Sequence, residues 1–110
     1  MSVLRNVIYN LQSDAVLVVE LKGVRSKKAM FEALATGLKL PKYFGHNWDA
    51  LADCLMDKAW AKRASYTILV LDAAGAAKRL GDEWNTLTAT LDEACVWWDE
   101  HEKPFHVVLA

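Results

Sequence analysis

The 110-residue sequence contains only two cysteines, two prolines and five glycines. It also lacks an apolar run of about 18 residues, the length needed to span a membrane. Cys54 and Cys95 are too few for the disulfide framework of a small secreted domain and indicate a reduced compartment, although one bridge between them stays open. The sequence predicts neither a signal peptide nor a membrane-spanning helix. We therefore expect a cytoplasmic protein.

A surplus of charge of either sign is also lacking, because the formal net charge is only −1. Proteins that bind nucleic acids or membranes carry a large basic surplus, so we expect neither partner here. The charges are unevenly placed, however. Four basic residues fall within residues 22–28, whereas residues 80–102 contain seven acidic residues and neither lysine nor arginine. Much of the surface should therefore be anionic.

The hydrophobic content of 54% in 110 residues fits a single compact domain over residues 1–110. No internal repeat, linker or low-complexity tract divides the chain. Residues 1–14 form an N-terminal extension whose apolar spacing fits either a short helix or an edge strand, and both assignments stay open.

Three apolar, β-branched runs at residues 15–21, 66–72 and 105–110 predict strands of a parallel sheet that is covered on both faces. Helical patterns fill the two connections between them. Ser26 is a candidate N-cap of the first helix, and Gly81 begins the last one. The order β-α-α-β-α-α-β predicts an α/β fold in which right-handed crossovers join a three-stranded parallel sheet.

The second helix lies in the stretch LPKYFGHNWDALADCLMDKAW and carries Asp49, Asp53 and Asp57 at intervals of four residues. Like charges at this spacing weaken a helix by roughly 0.2–0.5 kcal/mol per pair. A charge repulsion that weakens the helix and brings no local gain in stability is typical of a functional surface. Solvated acidic helix faces are also common, however. The aspartates should face water, while the opposite face packs on the sheet through Trp48, Leu51, Ala52 and Leu55.

The loop before this helix contains two adjacent aromatic residues, Tyr43 and Phe44, of which at least one should be exposed. Gly45 permits a tight turn, and Asn47 can cap the helix. A rigid aromatic loop beside carboxylates suits a cationic cleft of another protein. The pattern therefore predicts a protein-binding surface rather than a catalytic centre.

The stretch LPKYFGHNWDALADCL closely resembles the barstar family of intracellular ribonuclease inhibitors. The order of strands and helices agrees, so the resemblance covers about residues 15–110. It implies a second helix and preceding loop that block the active site of a basic, guanyl-specific ribonuclease or a related toxin. The chain is accordingly expected to be an inhibitor or immunity protein that needs no cofactor, is not an enzyme and is a monomer when free.

The resemblance also implies which residues contact the partner, with Asp53 as the foremost candidate and Cys54 as a structural cysteine. The positions that match the family's contacting loop and helix are Tyr43, Gly45, Asn47, Asp49 and Asp53. The remaining candidates complete the same surface: Phe44, His46, Trp48, Ala52 and Asp57.

The chain departs from the family pattern at two positions of the second helix. Ala52 stands where the best known member has a tryptophan, and Trp48 stands where it has a leucine. A bulky contact has therefore moved, or Trp48 belongs to the core. A family glutamate on the last helix also touches the partner, and either Glu93 or Asp92 can take that place.

Two other functions compete with inhibition. Asp49, Asp53 and a histidine could serve a small hydrolase or metalloprotein. No CxxC or HxxxH spacing supports a metal site, however. The two aspartates should be exposed, and the sequence shows no cleft that would raise the pKa of either one for catalysis. The acidic helix could also belong to an interaction module that inhibits nothing. His46 is either a solvated loop residue or makes binding depend on pH beside Asp49.

Overall fold

The computed structural model describes residues 14–110. The strands pair in the order β1-β2-β3, and both pairings are parallel. The predicted α/β fold is thus confirmed, and each observed strand boundary lies within one residue of the predicted one. The two assignments predicted for the N-terminal extension concern residues outside this range. The elements are β1 (Asp14–Glu20), α1 (Lys27–Gly37), α2 (Trp48–Leu55), β2 (Ser65–Leu71), α3 (Ala73–Leu80), α4 (Asp82–Glu100) and β3 (Phe105–Leu109).

Within residues 14–110 the helices cover one face of the sheet, so the prediction of strands covered on both faces is wrong for this part of the chain. Buried residues of all four helices join Leu17 and Val19 of β1 in a single core. On the opposite face, Val16, Val18 and Val108 are 45–46% exposed. Two right-handed crossovers that advance in the same direction across a sheet must pass over the same face. A continuous apolar run makes both faces of a strand apolar, so it does not show which face the helices cover.

Helix α1 packs closely on β1. Ser26 caps the helix as predicted, since its Oγ accepts a hydrogen bond from the Ala29 N–H at 3.1 Å. At the other end, a Cβ on Gly37 would overlap the Val18 carbonyl oxygen and lie 2.9 Å from the Val19 Cα. Only glycine allows this approach between helix and strand backbones.

Helix α2 packs mainly against α4, whereas the sequence predicted packing on the sheet. Leu51 and Leu55 are fully buried, as expected, whereas Ala52 is partly exposed. The indole Nε1–H of Trp98, on α4, donates to the Leu55 carbonyl at 2.7 Å, and its ring stacks on Phe105 of β3 at 6.4 Å. Trp98 therefore separates the end of α2 from the sheet.

None of the helices within residues 14–110 combines the length and the apolar character that crossing a membrane requires.

Substituting Gly37 by alanine should lower the free energy of unfolding by roughly 1–3 kcal/mol, because the added methyl group overpacks the contact with β1. Alanine would otherwise favour a helix by about 1 kcal/mol over glycine. Urea denaturation measures the change, and Thr36→Ala at the exposed neighbouring position is the control. A Gly37→Ala protein as stable as the wild type would contradict the close packing of α1 on β1.

Substituting Trp98 by phenylalanine should cost about 1–3 kcal/mol of stability, since the buried Leu55 carbonyl loses its donor. The matched control is Trp84→Phe, on the same helix, because the Trp84 indole N–H has no hydrogen-bond partner within residues 14–110. That control should cost under about 1.5 kcal/mol. Equal losses from the two substitutions in chemical denaturation would show that ring volume, not the hydrogen bond, holds α2 on α4.

Candidate functional site

The loop before α2 presents one of its two aromatic residues and buries the other. Tyr43 is 80% exposed, whereas Phe44 is 5% exposed. The Phe44 ring packs 6.1 Å from Phe31 of α1, and its N–H donates to the Pro41 carbonyl at 2.9 Å. Tyr43 is thus available to a partner, while Phe44 fastens the loop to the core.

Short hydrogen bonds hold the rest of the loop against the start of α2. The Asn47 side chain accepts from the Ala50 N–H at 2.8 Å, which confirms the predicted cap, and donates to the Gly45 carbonyl at 3.1 Å. His46, rather than Gly45, takes the left-handed conformation, with φ of 52°, and its Nδ1 lies 3.0 Å from the Phe44 carbonyl oxygen. A Cβ at position 45 would lie 3.1 Å from Asn47 Nδ2, so a larger residue there would press on the capping side chain.

Asp49 and Asp53 are exposed on α2, and neither forms an ion pair within residues 14–110. Asp49 lies in the first turn, where the positive end of the helix dipole favours a carboxylate. Asp57 differs, because α2 ends at Leu55. Its Oδ1 accepts from the Ala59 N–H at 2.8 Å, so the prediction that it belongs to a helical stripe of three aspartates is wrong.

Trp48 packs on the core rather than standing free. It is half-buried, and its ring meets Phe31 edge-on at 4.8 Å between centroids. Together with Phe44 it anchors the start of α2 to α1. The aromatic ring at position 48 therefore supports the start of the helix from the core side.

Two shallow clefts flank Asp57 on the surface of α2. One, of about 520 Å³, runs between α2 and α4. The other, of about 270 Å³, extends to Tyr43 and is also bordered by Lys39 and Lys62, so this end of the surface is not purely acidic. Because Asp57 lines both clefts, they are neighbours. The residues of the larger cleft are Ala52, Asp53, Met56, Asp57, Lys58 and Trp97.

The two acidic candidates on α4 lie on different sides of that helix. Glu93 is exposed and precedes Trp97 by four residues, so it shares the helix face that borders the cleft beside α2. Asp92 lines a different cleft with Val107 and Leu109 of β3. Glu93 is therefore the acidic residue of α4 that lies towards the candidate surface.

Both cysteines are free thiols, so the bridge that the sequence left open is not formed. Burial raises the pKa of the Cys54 thiol, and the nearby carboxylates of Asp57 and Asp53 raise it further. Burial also raises the pKa of Cys95, with a smaller contribution from Asp92. A raised pKa keeps a thiol protonated, so neither cysteine is prepared to act as a nucleophile.

A partly buried lysine fixes the chain that follows α2. Lys103 donates through Nζ to the Ala61 carbonyl at 2.8 Å and lies over the Trp98 ring, 5.1 Å from its centroid. Burial lowers the pKa of this ammonium group.

No cluster of histidine, cysteine, aspartate or glutamate within residues 14–110 has the arrangement of a metal site. The surface can bind a cationic partner, but residues 14–110 bring no metal-ligand set to it.

Trp97 is, with Met56 and Lys58, a residue of this surface that the sequence did not reveal. Its position beside the core stripe of α4 indicated only an edge residue, whereas the structure places it in one cleft with Ala52 and Asp53. The available signal was its spacing of four residues from Glu93, which puts the two side chains on one helix face.

The chain matches the family model for Barstar (barnase inhibitor) over residues 15–110. No curated protein matches the chain significantly. The family match covers most of the chain and agrees with the three-stranded parallel sheet described above. The chain therefore belongs to the Barstar (barnase inhibitor) family.

Proposed function

We propose that this protein inhibits a basic ribonuclease of the barnase type, or a related toxin, by inserting α2 and the loop before it into the active site. The free protein would be a cytoplasmic monomer that protects its cell as an immunity protein, without cofactor or turnover of its own. The observation that carries the proposal is the pair of exposed carboxylates on α2, Asp49 and Asp53, which no cation within residues 14–110 neutralises.

The electrostatic argument follows from what a ribonuclease must bind. Its active site gathers cationic and hydrogen-bonding groups around a phosphodiester, and carboxylates form strong charge-assisted hydrogen bonds with such groups. Asp49 and Asp53 lie one helical turn apart and project from the same side of α2. They can therefore occupy sites that would otherwise hold the phosphates of RNA.

The second argument is that the surface is already in a fixed conformation. Asn47 caps α2, Phe44 anchors the loop, and Trp98 holds the last carbonyl of the helix. Ordering flexible groups on binding costs about 0.5–1.5 kcal/mol per side chain, and a pre-organised surface avoids much of this cost. Tyr43, exposed at the edge of the surface, adds rigid aromatic contact area of the kind enriched at interfaces.

Inhibition distinguishes this proposal from its competitors. The purified protein should suppress cleavage of RNA by a barnase-type guanyl-specific ribonuclease at stoichiometric concentration. An acidic module of another kind would leave cleavage unchanged, and a hydrolase would show turnover of its own in the absence of the ribonuclease. Failure to inhibit any basic ribonuclease or related toxin tested would contradict the proposal.

Asp53→Ala should weaken binding to the inhibited ribonuclease by about 100-fold or more, since removing one partner of a desolvated charge pair leaves the other unpaired. The matched control is Asp92→Ala, which makes the same charge change on the far side of α4 and should alter affinity by no more than about twofold. Inhibition constants from a fluorogenic RNA substrate give both values. Equal effects of the two substitutions would show that total charge, not the α2 surface, governs binding.

Added salt should slow association far more than it changes dissociation, because screening acts on the long-range attraction that precedes contact. Between low and high ionic strength, we expect the association rate constant to fall by about tenfold or more. Stopped-flow measurement of tryptophan fluorescence, with the ribonuclease in excess, provides both rate constants. An association rate that is independent of salt would exclude steering by the carboxylates.

A further inference from the structure

The face of the sheet that the helices of residues 14–110 leave uncovered is apolar at its centre. The pairing register places Val18, Leu69 and Val108 side by side, one on each strand. Val18 and Val108 are both 45% exposed, and Leu69 is partly exposed. Val16 and Leu71, two residues away along β1 and β2, lie on the same face, because alternate residues of a strand share a face. These five residues form what we call the open face.

Polar groups border the open face at both ends of β1. The Ser65 hydroxyl donates to the Asp14 carboxylate at 2.7 Å, and the Glu20 carboxylate accepts from the Lys22 N–H at 2.8 Å. Given the spacing of residues and strands in a sheet, the apolar area between these borders is roughly 200–300 Å². A stable dimer buries about 800 Å² on each partner. The open face is therefore too small to hold two copies of the chain together by itself.

The segment that precedes β1 carries an apolar stripe that fits this face. In residues 1–13, Leu4, Val7, Ile8 and Leu11 recur at intervals of three and four residues, and polar residues lie between them. A helix brings all four apolar side chains to one side. A strand would divide them between its two faces, with Leu4 and Ile8 on one and Val7 and Leu11 on the other. Only the helical conformation lets one packing contact bury all four.

The position and length of the segment agree with the size of the open face. Residue 13 joins β1 at Asp14, on the border of the open face. Val16 and Val18 lie about 7 and 13 Å further along the strand. A helix of residues 1–12 is about 18 Å long and 10 Å wide, so it reaches both positions and spans three strands. Covalent attachment also gives the segment an effective concentration in about the millimolar range, which favours it over a second copy.

We propose that residues 1–12 form an amphipathic helix that turns back over the sheet and docks on the open face. Its apolar side packs on the row formed by Val18, Leu69 and Val108, and its polar side faces water. The sheet is then covered on both faces. This inference does not depend on the inhibitor function, because α2 packs with the other helices on the opposite side of the sheet. The docked helix leaves Asp49 and Asp53 accessible.

Methyl NMR of the full chain tests the contact directly. Nuclear Overhauser effects should join the methyl groups of Leu4 and Ile8 to those of Val18, Leu69 and Val108. A mixture of labelled and unlabelled chains shows whether these contacts arise within one molecule, as expected. Contacts only between molecules would assign the open face to a second copy. Backbone contacts along the free edge of β1 would indicate an added strand. Either result, or the lack of any contact between the segment and the open face, would overturn the proposal.

A matched pair of substitutions measures what the docked helix contributes. Ile8→Glu should lower the melting temperature by about 4 °C or more, since it places a charge in the contact. Asn6→Glu, which adds the same charge on the polar side of the helix, should change it by less than about 2 °C. Equal shifts from the two variants would contradict docking through the apolar stripe.

A double substitution separates docking from an unrelated loss of stability. Val18→Thr keeps the side-chain volume but adds a hydroxyl group to the open face, so it should lower the melting temperature by about 2–4 °C where the helix covers it. In the Ile8→Glu background the same change should cost almost nothing, because the face is then in contact with water. Strictly additive shifts would show that the two positions do not meet.

Discussion

The end of α2 is joined to α4 by a buried hydrogen bond, from the Trp98 indole to the Leu55 carbonyl. The last carbonyls of a helix have no partner inside the helix, and burial makes an unsatisfied one costly. Here the donor comes from α4 and also stacks on β3. One side chain thus satisfies the end of α2, sets its distance from the sheet and joins three elements of the fold.

Other aromatic residues repeat this arrangement around α2. Trp48 rests against Phe31 at its start, and the Trp60 indole, beyond its end, donates to the Leu38 carbonyl at 2.9 Å. The helix is only 8 residues long, too short to be stable by itself. Its rigidity therefore comes from the residues that pack against it. This support allows the exposed side to carry Asp49 and Asp53, two carboxylates that repel each other across one helical turn.

The proposed binding surface is consequently shared between two helices that are distant in sequence. Asp53 comes from α2, whereas Glu93 and Trp97 come from α4, and the contact between the two helices brings them to one side of the molecule. On an isolated α2, the small residue at position 52 would leave a patch of the helix surface without a large side chain. In the folded protein the neighbouring indole borders that patch, so the shape of the surface results from packing rather than from either helix separately.

Local patterns were sufficient for much of this fold and part of the site. The apolar runs predicted the three strands to within one residue, and the caps at Ser26 and Asn47 were predictable because each acts within its own turn. The resemblance in residues 40–55 identified the family, which the match over residues 15–110 shows. The exposure of Asp49 and Asp53 followed from helical spacing.

Only the tertiary structure decided which groups meet across the chain. Spacing could not show that the helices of residues 14–110 all cover the same face of the sheet, because a continuous apolar run makes both faces apolar. It could not show that α2 packs on α4, that Asp57 lies beyond the helix, or that Trp97 stands beside Ala52. The sequence by itself determined the elements and their charged faces, since these depend on neighbours along the chain. The cleft and the rigid support of α2 depend on long-range packing, which no local pattern records.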